Sequence, residues 1–218
     1  MLHRTQELYG LRLAALDGEL GRAEDFCFEE ANWTIRYLVV EPGAWLPGRL
    51  LLLSPHAFGR LDRYENTLHL KVSRSQVQAS PVLAPHTPVS RRFEIEYHRH
   101  FRWPGYWNDH PSESKQPGGA RPSAPLRRAR ALNHYTVHSP DERLGQLTDM
   151  LVDDKDWTIR ELVVAFDSRQ FQVPVGQVNR IRDADTQFLV NPSAFAAATA
   201  PDPVGRYGGD PRPATVTP

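Results

Sequence analysis

The sequence predicts a mainly β protein: two small closed barrels in tandem, packed as a pseudo-two-fold pair with a short helix and an aromatic segment between them. Three observations carry this reading. A nine-residue phrase is written twice, "NWTIRYLVV" from Asn32 and "DWTIRELVV" from Asp156, and its tryptophans Trp33 and Trp157 are 124 positions apart (157 − 33). That interval holds without a gap from Leu2 to Val40, and it pairs Gly21 with Gly145, Asp25 with Asp149 and Arg36 with Arg160. Short β-type segments then follow one another with no helical crossover long enough for a parallel sheet, which favours a small closed barrel.

Each copy reads in the same order. "GRAEDFCFEE" sets Ala23, Asp25 and Cys27 on one face and Phe26 and Phe28 on the other, the strand period of two. An acidic turn follows at 29–32, matched at 153–156. Next comes a strand from Trp33 to Val40, rich in β-branched and aromatic residues. Strict alternation there groups Ile35, Tyr37 and Val39 on one face. The loop "EPGAWLPGRL" shortens the interval from 124 to 120, and length changes belong in such Pro/Gly loops. "LLLLSP" is a further strand, and "FGRLDRYENTLHLKV" a hairpin turning near Asn66, with its counterpart turning near Asp185.

Between the copies the periodicity changes. Phe93, Tyr97 and Phe101 stand at i, i+4 and i+8, a short amphipathic helix with Ser90 as its cap. "WPGYW" follows, holding Trp103, Tyr106 and Trp107. The organisation expected is a first barrel over 1–82, the helix and aromatic segment over 83–107 and a flexible Pro/Gly/Ser-rich linker over 108–125. A second barrel over 126–195 and a disordered tail over 196–218 complete it.

Composition narrows the function classes. With 26 Lys+Arg against 26 Asp+Glu, nothing suggests a chain-wide footprint for nucleic acid or anionic membrane. The single Cys27 excludes an internal disulfide and any multi-cysteine metal site; aligned with Leu151, it reads as a small core residue. No apolar run approaches the roughly 18–20 residues of a membrane-spanning helix, and the first residues lack a signal-peptide pattern, so a cytoplasmic location is expected.

The run Gly21…Asp25-Phe26, the acidic turn, "WTIRYLVV", the Pro/Gly loop holding Trp45, "LLLSP" and "SRSQVQASP" together resemble the PRC-barrel family. That family includes the H subunit of the photosynthetic reaction centre and the C-terminal domain of a ribosome-maturation factor. The resemblance covers about 4–81 and, with a shorter loop, about 128–195. "YHRHFRWPGYW" resembles the segment joining the barrels of tandem bacterial members. The resemblance implies a compact six-stranded barrel per copy and a role in binding or assembly rather than catalysis. The membrane helix of the reaction-centre subunit and the N-terminal domain of the maturation factor have no counterpart here, so neither specific function transfers.

Candidate sites follow. Leu38-Val39-Val40 and Leu162-Val163-Val164 are apolar on both strand faces, so something covers the outer one. The cheapest cover is the other copy; the 90–107 segment and a second chain, which would make a homo-oligomer, are the alternatives. Phe93, Tyr97, Phe101, Trp103, Tyr106 and Trp107 are the candidate partner-binding residues, although a helix docking on its own barrel needs the same side chains. Gly21, Asp25, Trp33, Arg36, Gly145, Asp149, Trp157 and Arg160 mark the repeat, and Asp25/Arg36 and Asp149/Arg160 are expected to form cross-strand ion pairs. The turns at Glu29-Glu30 and Asp153-Asp154 lack a calcium-loop pattern, and His98, His100 and His110 fall short of a firmly held zinc set. No Ser-His-Asp arrangement or phosphate loop is written, so no catalytic, cofactor or metal residue is assigned. Arg121, Arg127, Arg128 and Arg130 form the one basic cluster, read as a solvated linker end ahead of an RNA contact. An unidentified protein is therefore the favoured partner, with RNA second.

Overall fold

A computed structural model describes residues 1–46, 49–83, 87–108, 126–140 and 142–191. The expected linker, apart from Asn108, and the expected tail lie outside these residues. The alternating and β-branched runs form strands in the order read from the sequence. The first repeat holds β1 (Leu2–Arg4), a short helix α1 (Thr5–Leu8), β2 (Arg12–Ala15), β3 (Gly18–Glu29), β4 (Thr34–Glu41), β5 (Leu51–Leu53), β6 (Phe58–Asp62) and β7 (Thr67–Leu70). Helices α2 (Arg74–Gln78) and α3 (Arg91–Phe101) follow. The second repeat holds β8 (Leu126–Arg128), β9 (Thr136–His138), β10 (Arg143–Asp153), β11 (Thr158–Phe166), β12 (Arg169–Pro174), β13 (Val178–Arg182) and β14 (Gln187–Val190).

The chain is mainly β, but its ladders join in one mixed sheet that is not closed into a barrel. The order is β13-β14-β9-β10-β11-β4-β3-β2-β7-β6, with β1 on β10, β12 on β11, β5 on β4 and β8 on β3 as branches. Two separate closed barrels were expected; the sheet runs instead from one repeat into the other. Read from either end, the order meets equivalent strands in the same succession. The join is a single bridge between Thr34 and Thr158. Beside it, Ile35 N donates to Trp157 O and Ile159 N to Trp33 O, each at 2.8 Å. Both tryptophans adopt a left-handed backbone (φ 58° and 55°), which turns each carbonyl towards the other repeat. Asn32 and Asp156, the first variable letter of the repeated phrase, each accept the amide of the threonine two residues on. Either side chain makes that turn, so the difference is tolerated.

The repeats also exchange their first strands. Leu2–Arg4 pairs with Leu151–Asp153, and Leu126–Arg128 pairs with Cys27–Glu29, the same register at an offset of 124. This exchange corrects the expected ion pairs. Buried Asp25 accepts Arg128 Nε at 2.8 Å and the amides of Phe26 (2.8 Å) and Arg130 (3.0 Å). Buried Asp149 accepts Thr5 Oγ1 at 2.5 Å and the amides of Gln6 (3.3 Å) and Met150 (2.8 Å), with Arg4 Nη1 at 3.8 Å. Each carboxylate thus draws donors from the arm of the other repeat, although Asp149 Oδ2 is buried with only the longer Arg4 ion pair. Arg36 pairs instead with Glu29, and Arg160 with Asp156 and Asp153.

The two arginines are extra residues in their ladders. Cys27 faces Tyr37 and Phe28 faces Ile35, which leaves Arg36 unopposed; Leu151 faces Glu161 and Val152 faces Ile159, which leaves Arg160 unopposed. The bulge breaks the expected alternation. Ile35 joins Leu38 and Val40 in the main core, while Tyr37 and Val39 join a second cluster with Leu52 and Tyr97. The outer face of β4 is therefore covered by α3, not by the other repeat, and the favoured expectation is corrected.

Gly21 and Gly145 are explained by close approach. A Cβ on Gly21 (φ 144°) would stand 2.1 Å from Glu41 O, and one on Gly145 (φ 146°) would stand 2.4 Å from Ala165 O. Gly21→Ala is expected to destabilise the fold by about 1–3 kcal/mol from backbone strain alone, read as a lower midpoint in urea unfolding. Asp25→Ala should cost about 2–4 kcal/mol, because the buried Phe26 amide, the part-buried Arg130 amide and Arg128 lose their acceptor. Asp25→Asn, which keeps one acceptor oxygen, should cost less in the same measurement.

Candidate functional site at the helix–sheet junction

Helix α3 starts where predicted: Ser90 Oγ accepts the Phe93 amide at 3.2 Å. Its apolar stripe faces the sheet, and Tyr97 is buried with its hydroxyl donating to Leu52 O at 2.6 Å. The helix ends at Arg102 in the left-handed region (φ 58°), and Trp103 N donates back to His98 O at 2.9 Å. That turn lays Trp103 flat on Phe101, with ring centres 4.3 Å apart, and returns Tyr106 and Trp107 over the first turns of the helix.

The six aromatic candidates are thus brought together in one layer. Tyr97 meets Tyr37 edge-on at 5.7 Å and packs between Phe93 and Phe101; Trp107 and Tyr106 flank His98. Only Tyr97 is fully buried, and the other five are half-buried. They pack on one another, on β4 and β5, and, through Trp103, on the His56 ring at 5.8 Å.

Under this layer lies a buried carboxylate that the sequence reading missed. Glu94 has no exposed surface. Its Oε1 accepts Tyr106 Oη at 2.5 Å and Tyr37 Oη at 3.1 Å, and its Oε2 lies 2.8 Å from Arg91 Nη1. Arg36 stacks on the Tyr106 ring at 3.8 Å while Glu29 accepts its Nε at 3.0 Å. Arg91 stacks on Trp107 at 4.7 Å. Burial pushes the Glu94 carboxyl above its ordinary range, against the pull of its three donors. Burial likewise raises the hydroxyls of Tyr37 and Tyr106, with the Glu94 charge adding to both.

His98 completes the cluster. Its Nδ1 is 2.8 Å from Pro104 O, so that nitrogen carries the proton, and Nε2 faces Tyr37 Oη at 3.4 Å. Burial lowers its pKa below 6.5, and His56, Arg91 and Arg36 push the same way. The arrangement fastens a helix to a strand through the Tyr37–Glu94 hydrogen bond, while Glu94 Oε2 and Arg91 Nη1 are buried as an ion pair without a hydrogen bond. A signal for it did exist: Tyr37 against Glu161 is the second variable letter of the repeated phrase. The hydroxyl at Tyr37 binds α3, and Glu161 stands at the equivalent place in the second repeat.

Other candidates have other places. Cys27 is buried, and its thiol is pushed up to about 12 by burial. Three of the four arginines in the basic cluster are engaged rather than solvated. Arg127 binds Glu30 and Asp183, Arg128 binds Asp25, and Arg130 Nε donates to Glu24 O at 2.6 Å; Arg121 lies outside the described residues. His100 Nε2 meets Gln76 O at 2.9 Å, away from His98, and His110 lies outside the described residues. Among the described residues, one set with metal-ligand spacing occurs: Asp62, Glu65 and His69 in the β6–β7 hairpin. Asp62 Oδ1 there accepts the amides of Tyr64 and Glu65, and Oδ2 pairs with Arg60 at 2.9 Å, which is the bonding of a hairpin turn. No helix among the described residues is long and apolar enough to cross a membrane. Compared with protein-family models and with curated proteins, the chain matches none.

Because the folded His98 binds its proton more weakly than the unfolded chain does, stability is lost as pH falls through 6.5 towards the lowered value. Urea midpoints between pH 7 and pH 5 should fall more steeply for the native chain than for His98→Phe. NMR titration should place the His98 ring below the ordinary imidazole range.

Proposed function

We propose that this chain is a non-catalytic binding scaffold of the PRC-barrel type, a fused pair of related β units that docks a protein partner. One observation carries the reading: the groups best suited to chemistry are spent on holding the scaffold together. Glu94 is fully buried, with Oε1 accepting two tyrosine hydroxyls and Oε2 in an ion pair with Arg91; His98 is tied to Pro104 O through Nδ1, and Asp25 and Asp149 serve the exchanged arms. The repeated phrase, the paired glycines and the Pro/Gly loop support the family part of the proposal. So does the matching succession of strands about the Thr34–Thr158 bridge. In this reading the open sheet is a pair of PRC-type units cross-braced by their first strands.

An RNA role is the weaker reading. The arginines that motivated it, Arg127, Arg128 and Arg130, already bind acidic or carbonyl groups of the same chain. Affinity purification from the native cell, split into untreated and RNase-treated halves, tests both. The same proteins should co-purify from each half. Recovery of ribosomal RNA together with proteins that vanish on RNase treatment would overturn the protein-scaffold reading in favour of RNA.

A further inference from the structure

The Trp33/Trp157 seam contains two cavities at equivalent places in the repeat. One is about 390 Å³ and lies between the 30–33 turn and the short helical turn at Val175–Gln177. The other is about 550 Å³ and lies between the 154–157 turn and the short helical turn at Pro55–Ala57. Position by position, the walls have diverged, although the smaller cavity keeps a cation of its own in Arg180. Where the smaller cavity has Ala31 the larger has Lys155, and where the smaller has Gly176 the larger has His56. The position equivalent to Asn191 is Lys71, which also lines the larger cavity. His98 and Tyr106 close that cavity, so α3 has a counterpart in neither wall of the smaller one.

The charge of the larger cavity is not balanced by its acids. Asp154 pairs with the Met1 ammonium and is 2.9 Å from His3 Nε2, and Asp156 pairs with Arg160, so both carboxylates are engaged by groups outside the cavity. Arg36 is matched by Glu29. Neither the Lys71 nor the Lys155 ammonium has a described carboxylate within ion-pair distance, and both residues, exposed and from opposite repeats, line one space whose wall includes Trp157 and Phe58. Two ammonium groups lining a concave space attract a multivalent oxyanion, and lysine serves phosphate as a point charge.

We propose that the larger seam cavity is a binding site for a small phosphate-bearing anion, held between Lys71 of the first repeat and Lys155 of the second. The site stands independently of any protein partner. Duplication supplied two cavities, and the pair of lysines stands in one of them.

Calorimetric titration of the full chain with inorganic pyrophosphate tests this. One-to-one binding is expected, weakened about tenfold by Lys71→Ala or by Lys155→Ala, a loss of about 1.4 kcal/mol each. Arg180→Ala, which alters the smaller cavity, should leave the affinity unchanged. In a ¹H–¹⁵N spectrum the Trp157 indole signal should move on titration and that of Trp33 should stay, the two being assigned with Trp157→Phe and Trp33→Phe. Vesicles of phosphatidylcholine with and without phosphatidic acid form a second arm. Lysine-dependent binding to the acidic vesicles alone assigns the anion to a lipid headgroup, and lysine-dependent pyrophosphate binding assigns it to a soluble phosphate. No saturable binding in either arm overturns the site, as does an equal loss from Arg180→Ala.

Discussion

The structure depends on an exchange. A carboxylate buried in a β core is tolerable only when donors meet it there, and neither repeat supplies enough for its own. Asp25 accepts from Arg128 and the Arg130 amide, and Asp149 Oδ1 from Thr5 and the Gln6 amide. The strands carrying those donors, β8 and β1, are therefore laid on the opposite repeat. From that constraint the rest follows. The two Thr-bearing strands meet at their ends, the left-handed tryptophans trade amide hydrogen bonds, and the main core runs through both repeats. Unfolding one repeat would strip the other of donors to its buried carboxylate.

Symmetry sets the frame, and small departures from it set what the molecule can do. One letter of the repeated phrase separates Tyr37 from Glu161. The tyrosine hydroxyl gives the buried Glu94 one of its donors, and with it the place where α3 docks. Docking the helix brings His98 and Tyr106 to the edge of the adjacent seam cavity, which also holds Lys71 and Lys155. A second copy of a stable unit lets one surface keep the scaffold while its twin gathers new side chains. Packing and ligand chemistry thus share residues at one end of the seam and not at the other.

Much of this was legible in the residues. The repeat, the strands from period-two patterning, the hairpin turns near Asn66 and Asp185 and the Ser90-capped helix all rest on neighbours in sequence. Local rules govern those. The paired glycines were visible as markers, but the 2.1 Å and 2.4 Å approaches that require them depend on a strand across the ladder. The bulge at Arg36 and Arg160 was hidden because β-branched residues fit either face, and periodicity cannot announce an inserted position. Glu94 was hidden because an acidic residue on a helix is ordinary until three donors converge on it.

By itself the sequence determined that the chain is duplicated, mainly β and interrupted by one aromatic helix, since periodicity and turn chemistry are local properties. Only the tertiary structure decided which copy completes which. Arg4 and Arg128 are the same letter of the repeat, and either is equally compatible, as text, with the aspartate of its own copy or of the other. Identical sequences carry no label that tells a contact within a repeat from one across it. The choice belongs to geometry: the path of each arm brings it to the opposite strand, and the buried carboxylate there holds it.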